Sequence, residues 1–202
     1  MPVVGRLLQI RLFPVKSLDA PDVTAAEVDA DGLRGDRGWV LCDHTGEPLR
    51  AKSHPALRRV GARAVPGGLE LALPGSPPAP AQQALPRLAD LLGHPGPLAL
   101  HRSTGGARQV AAVHVVTLAQ LGGDPAACGG EDPRANLLLD LPGAPPPQRW
   151  AGARLRVGPS AELLVDRPPR HCAGLYTSVL APGPVRVGDA VRLEPGPPRP
   201  GD

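Results

Sequence analysis

Apolar residues along this chain come in short runs broken by polar positions and by Gly or Pro, not in long helical stripes. Arg6 to Val15 carries Leu7, Leu8, Ile10, Leu12 and Phe13 among polar neighbours and predicts a first strand, ended by Pro14. Ala25 to Val28 and Trp39 to Asp43 predict two more. His44 to Glu47 reads as a hairpin turn, with Pro48 to Ala51 as the return. Leu57 to Val65 and Gly68 to Leu73 predict a further hairpin around Pro66-Gly67. Strands continue at Leu98 to Arg102, Ala111 to Val116, Leu137 to Leu141, Trp150 to Val157, Glu162 to Val165, Val179-Leu180, Val185 to Val187 and Ala190 to Leu193. Helical spacing is clearest over Gln82 to Leu92, where Leu85, Leu88, Leu91 and Leu92 share a face and Gly93 supplies a stop. Pro86 suits a first turn, which moves the expected helix start towards Leu85. Short helices are expected at Thr117 to Leu121 and from Asp124 through Cys128. The pattern predicts a mainly β protein, a closed barrel with a few short helices.

Composition narrows the picture. The chain has 202 residues, 42% of them hydrophobic but only 2% aromatic, so its core must be built from Leu, Val and Ala. Its 28 prolines and 25 glycines fall between the apolar runs as loop punctuation. Lys16 and Lys52 are the only lysines; every other basic side chain is Arg, a good fork for phosphate or carboxylate. With few aromatics and no basic run, the sequence argues against nucleic-acid binding. Three cysteines without a CxxC pair argue against a disulfide scaffold and a structural zinc site. The N-terminus lacks the apolar core of a signal peptide, and no apolar run reaches membrane-spanning length, so a cytoplasmic, soluble protein is expected.

Three groups of residues stand at strand ends, where barrel loops gather. The first joins Lys16-Ser17 to Arg34-Gly35-Asp36-Arg37. The second is Arg134-Ala135-Asn136. The third is Arg170-His171-Cys172, preceded by Pro168 and Pro169 and therefore on a stiff, non-helical loop. A thiol beside a guanidinium and an imidazole tends to ionise, and the thiolate is both nucleophile and soft metal ligand. The plain alternative is a small buried hydrophobe. Each of the other residues also has a plain alternative, as a surface ion pair, a turn or a helix cap.

Taken together the motifs resemble the MOSC-domain proteins, named after the C-terminal domain of molybdenum-cofactor sulfurase. The N-terminal part of the pattern is Phe13-Pro14-Val15-Lys16-Ser17, then Gly32-Leu33-Arg34-Gly35-Asp36-Arg37-Gly38-Trp39, then Gly46, Leu49, Lys52, Pro55 and Leu57. The C-terminal part is Arg134-Ala135-Asn136, Gly152 to Gly158, Cys172, and Val185 to Val191. The resemblance implies a barrel like the β-barrel domain of pyruvate kinase and a molybdenum–pterin cofactor. It divides the chain into an N-terminal β lobe at 1–80, a helical linker at 81–97, a C-terminal lobe at 98–195 and a disordered tail at 196–202. Lys16, Ser17 and Arg37 or Arg34 would hold the pterin phosphate, with Arg134, Asn136 and Thr117 contacting the cofactor. Cys172 would ligate molybdenum or carry a persulfide, with Arg170 and His171 as neighbours. His171 and Ala135 depart from the usual family pattern.

The resemblance implies an oxidoreductase that reduces an N-hydroxylated small-molecule substrate. The alternatives are a sulfur carrier using a Cys172 persulfide, and a binding module without catalysis. No pyridoxal-phosphate sulfurase domain or iron–sulfur domain is evident in the sequence. Electrons or sulfur are therefore expected from a separate electron-donor protein or cysteine desulfurase.

Overall fold

The computed structural model describes residues 3–103, 111–122, 133–169, 173–194 and 196. Strands dominate. In chain order they are β1 (Val3–Arg11), β2 (Asp22–Val23), β3 (Ala25–Asp29), β4 (Gly32–Leu33), β5 (Trp39–Cys42), β6 (Gly61–Val65), β7 (Gly68–Ala72) and β8 (Ala79–Pro80). They continue as β9 (Ala99–Arg102), β10 (Val113–Thr117), β11 (Leu137–Asp140), β12 (Arg154–Val157), β13 (Ala161–Arg167), β14 (Leu175–Ala181), β15 (Gly183–Arg186) and β16 (Ala190–Glu194). The α-helix among the described residues, α1, is Ala81–Leu92. The protein is mainly β, as expected.

The chain forms two compact units that interleave in sequence. One contains residues 1–11, 22–34 and 110–202, the other 12–21 and 35–109. This is not the sequential division expected at residues 80 and 97. The reason lies in β1, which belongs to the barrel of the first unit, so the chain leaves that unit after Arg11 and re-enters it at Asp22.

In the first unit seven strands run in the order β11-β10-β14-β13-β12-β16-β1, and β1 pairs back onto β11 to close the barrel. Only β10 and β11 pair in parallel; the other neighbours are antiparallel. Alternation along the strands decides the faces. Leu155 and Val157 of β12, and Val191 and Leu193 of β16, are buried, while Arg154, Arg156 and Arg192 between them are exposed. Leu163, Val165, Leu175, Leu137 and Leu139 complete an aliphatic interior. The hydroxyl of Thr177, also fully buried, donates to the Val113 carbonyl at 3.0 Å and so costs the core little. All five residues of β10 are buried. Its second face packs Val116 with Leu121, Ala135 and Leu138. A separate three-stranded sheet, β15-β3-β4, completes this unit.

The second unit has a β5-β9 ribbon, a β6-β7-β8 sheet and α1 around Leu18, Leu41, Leu57, Leu71 and Leu88. Two local expectations change. Residues 55–59 form a 3-10 turn instead of strand, because Pro55 fixes φ in its first turn, and the strand starts at Gly61. The helix begins at Ala81, ahead of the expected start near Leu85. Pro86 sits inside it and denies the Gln82 carbonyl its donor. Burial of Ala81, Ala84, Leu88 and Ala89 outweighs that loss, so α1 is part of the core and not a linker. Gly93 caps it with φ of 60°. The helix expected from Asp124 through Cys128 and the tail beyond Gly196 lie outside the described residues.

Closure of the barrel leaves no space beside Gly5, where an added Cβ would overlap the Asp140 carbonyl oxygen. We expect Gly5→Ala to cost about 1–3 kcal/mol, a fall in melting temperature of about 2–12 °C, in a thermal denaturation scan. Gly46→Ala, with open space around it, tests the strain of its φ of 89° alone and should cost less.

Candidate functional site

In the second unit the segments 13–16 and 36–39 are laced together by backbone. Arg37 N–H donates to the Phe13 carbonyl at 2.6 Å, Trp39 N–H to the Pro14 carbonyl at 3.0 Å, and Lys16 N–H to the Trp39 carbonyl at 3.0 Å. Asp36 fixes the junction. One carboxylate oxygen accepts the Phe13 N–H at 2.8 Å, and the other is paired with the Arg37 guanidinium. Both side chains are buried, and the guanidinium lies 5.0 Å from the centre of the Phe13 ring. Arg37 therefore serves first to hold the loop that presents Lys16.

Lys16 borders a cleft of about 420 Å³ whose lining includes Cys42, Arg50, His101, Arg102 and Ser103. Among the described residues, three cations and no carboxylate line it. The β5–β9 pairing builds one wall by setting Val40 opposite His101 and Trp39 opposite Arg102, with the Arg102 guanidinium 4.2 Å from the centre of the Trp39 ring. Burial, then the Arg50 and Arg37 guanidiniums, push the Lys16 ammonium below the usual lysine range. Burial, reinforced by Asp43 and Glu47, pushes the Cys42 thiol upwards. Such a cleft favours an anion, which would relieve the repulsion among its cations.

In the first unit Arg34 lies on the surface, and its fork is engaged by Asp29 at 2.8 and 2.9 Å. Asn136 is buried. Its Oδ1 accepts the His114 N–H at 3.1 Å and its Nδ2 donates to the Arg11 carbonyl at 3.2 Å, so its amide ties β1 to β10. Thr117 caps the 3-10 turn Leu118–Leu121, its Oγ1 accepting the Gln120 N–H at 3.3 Å. Arg134 has a positive φ of 52°. Among the described residues, the non-glycine positions with left-handed φ are Ser17 (74°), Arg37 (49°) and Arg134 (52°), all three expected site residues. Backbone of this kind concentrates where function over-determines the conformation. Arg170, His171 and Cys172 lie outside the described residues. Among the described residues no group of three or more His, Cys, Asp or Glu side chains could hold a metal ion, and no helix is long and apolar enough to cross a membrane.

Arg50, His101 and Arg102 were not singled out from sequence. The last two reach the cleft through a pairing of strands about 60 residues apart, which no local pattern announces.

Residues 4–90 match the family model of the MOSC N-terminal beta barrel domain, which supports the resemblance to MOSC-domain proteins. That family is linked to molybdenum-cofactor biology. A solved structure, the YUAD protein from Bacillus subtilis, is similar at 12% identity over 96% of this chain and 98% of that one, with a TM-score of 0.49. A search of curated proteins gives no match.

Arg37→Ala leaves a buried carboxylate unpaired and should cost about 3–5 kcal/mol in urea denaturation, whereas Arg34→Ala, at an exposed pair, should leave the midpoint unchanged. The folded chain holds the Lys16 proton less tightly than the unfolded chain. The unfolded state thus binds more protons between the two pKa values, and stability rises with pH through that window. Lys16→Met removes this cost at neutral pH and should raise the unfolding midpoint while weakening sulfate binding roughly tenfold, measured by calorimetric titration. In the unaltered protein sulfate affinity should fall as pH rises through the lowered lysine pKa, before the ordinary lysine range is reached.

Proposed function

We propose that this protein binds a molybdenum–pterin cofactor by its phosphate end and reduces N-hydroxylated compounds. The cleft around Lys16 carries the reading, because its donor set fits a phosphate dianion: an ammonium, the Arg50 and Arg102 forks and the Ser103 hydroxyl, with no carboxylate among the described lining residues. The left-handed backbone at Ser17, next to Lys16, supports it. Arg37 acts on this site by holding the Phe13–Lys16 segment in place through Asp36 and the backbone bonds.

When bound, the cofactor supplies a two-electron redox centre that can accept an oxygen atom. In this reading Cys172 is the protein's thiolate donor to the metal, with Arg170 and His171 favouring the ionised thiol. The overall conversion consumes two electrons and two protons, turning N–OH into N–H and water, and a separate electron-donor protein provides the electrons.

The test is metal and pterin analysis of protein made in a host that synthesises the cofactor. We expect near-stoichiometric molybdenum and pterin, lost in Lys16→Ala. Cys172→Ser should retain pterin and lose reduction of a benzamidoxime probe. Absence of both molybdenum and pterin overturns the reading. A persulfide on the Cys172 peptide after incubation with a cysteine desulfurase, with no pterin bound, would identify a sulfur carrier instead.

A further inference from the structure

The β5–β9 ribbon of the second unit has a cavity on each face. Side chains alternate along a strand, so Val40, Cys42 and His101 turn to the Lys16 cleft, while Trp39, Leu100 and Arg102 fall on the opposite face. On that face lies a second cavity of about 670 Å³, within the range of ordinary small-molecule sites, roughly 300–1,000 Å³. All of its lining residues belong to the second unit. The β6–β7 hairpin and the first turns of α1 supply further walls, and Leu69, Leu85, Leu98 and Leu100 make the surface mostly apolar. Arg102, at the end of the ribbon, borders both cavities.

Among the described residues lining this second cavity, Arg102 is the only charged one. Arg34, Arg63 and Arg156 are each engaged by an acidic side chain, whereas Arg102 rests on the Trp39 ring. A guanidinium held by its face keeps its in-plane N–H fork for a bidentate anion. Beside it the lining offers apolar surface and the Gln82 amide. Gly35, Gly38, Gly67 and Gly68 also line the cavity, and a Cβ added at any of them would meet no atom within 4 Å. Bare backbone of this kind lets a flat ring approach closely, which branched side chains would prevent. The cavity therefore combines a wide apolar floor with one cationic fork, and the ligand complementary to it is a flat apolar body carrying a single negative charge.

The geometry points to a second ligand site here, for a small aryl carboxylate whose ring lies on the leucine floor and whose carboxylate takes the Arg102 fork. A neutral ring forfeits the guanidinium, and a bare anion forfeits the floor, so neither binds as well. The site needs no cofactor in the Lys16 cleft and stands or falls separately from the proposed function.

The test is calorimetric titration of the full chain at neutral pH with 2-naphthoate, 2-naphthamide, octanoate and acetate, with tryptophan emission followed in parallel. Trp150, the other tryptophan, is fully buried, so a change of emission on binding reports Trp39. 2-Naphthoate should bind one to one and alter that emission, roughly tenfold more tightly than 2-naphthamide, with octanoate weaker and acetate undetectable. Arg102→Gln should bring 2-naphthoate down to the affinity of the amide. Gln82→Glu sets a carboxylate at the cavity in the first turn of α1, where an acidic side chain suits the helix, and should weaken 2-naphthoate roughly threefold without loss of stability. Lys16→Met, on the other face of the ribbon, should leave 2-naphthoate affinity unchanged. The assignment is overturned if the acid binds no better than the amide or the aliphatic acid, if Arg102→Gln has no effect, or if tryptophan emission does not respond. Loss of 2-naphthoate binding in Lys16→Met would place the anion in the Lys16 cleft and overturn it equally. Binding as expected by a protein that carries no pterin would leave this site standing while the cofactor reading fell.

Discussion

A closed sheet must give every strand two neighbours, and β1 is where this one meets that demand. Its nine residues pair with β11 along one edge and with β16 along the other, so the strands at the two ends of the chain order are joined through it. Without that seam β11 and β16 would present open edges, with unpaired backbone groups and an accessible aliphatic interior. The close approach at Gly5 and the register shift between Leu7 and Gln9 show the local geometry that closure requires.

Barrel closure also positions chemistry. β10 is flanked by β11 and β14 and is buried on both faces, its outer one under Leu121, Ala135 and Leu138. The same β10 ends in Thr117, whose cap turns the chain away. In the second unit the organising contact is electrostatic: one buried carboxylate, Asp36, holds a backbone N–H and a guanidinium and so sets the loop from which Lys16 is presented. Both devices hold irregular backbone with a buried polar group where no β ladder does so.

Much of this architecture was legible along the chain. Short apolar runs bounded by polar, Gly or Pro positions marked β3, β5, β9, β10, β11 and β13 close to their observed bounds, since such runs are a local property. Gly93 as a helix stop and the short helix beginning at Thr117 were legible for the same reason: each depends on backbone within one turn. The 3-10 turn at Pro55–Arg59 and the early start of α1 were not. There burial and a fixed proline φ compete with propensity, and the outcome depends on what packs against the segment.

For the candidate site, sequence alone identified Lys16, Ser17, Arg37 and Arg134 by residue type and motif. Three of them prove to be the described non-glycine residues in left-handed backbone. Sequence could not say that Arg37 is spent on Asp36, that the Asn136 amide is engaged by backbone, or that Arg50, His101 and Arg102 share a cleft with Lys16. What the sequence determined was therefore the β class, the cap and turn chemistry and the cationic motif, all of which act between near neighbours. Which charges face a cavity and which are neutralised were decided by tertiary structure alone. Those outcomes depend on strand pairings between residues tens of positions apart.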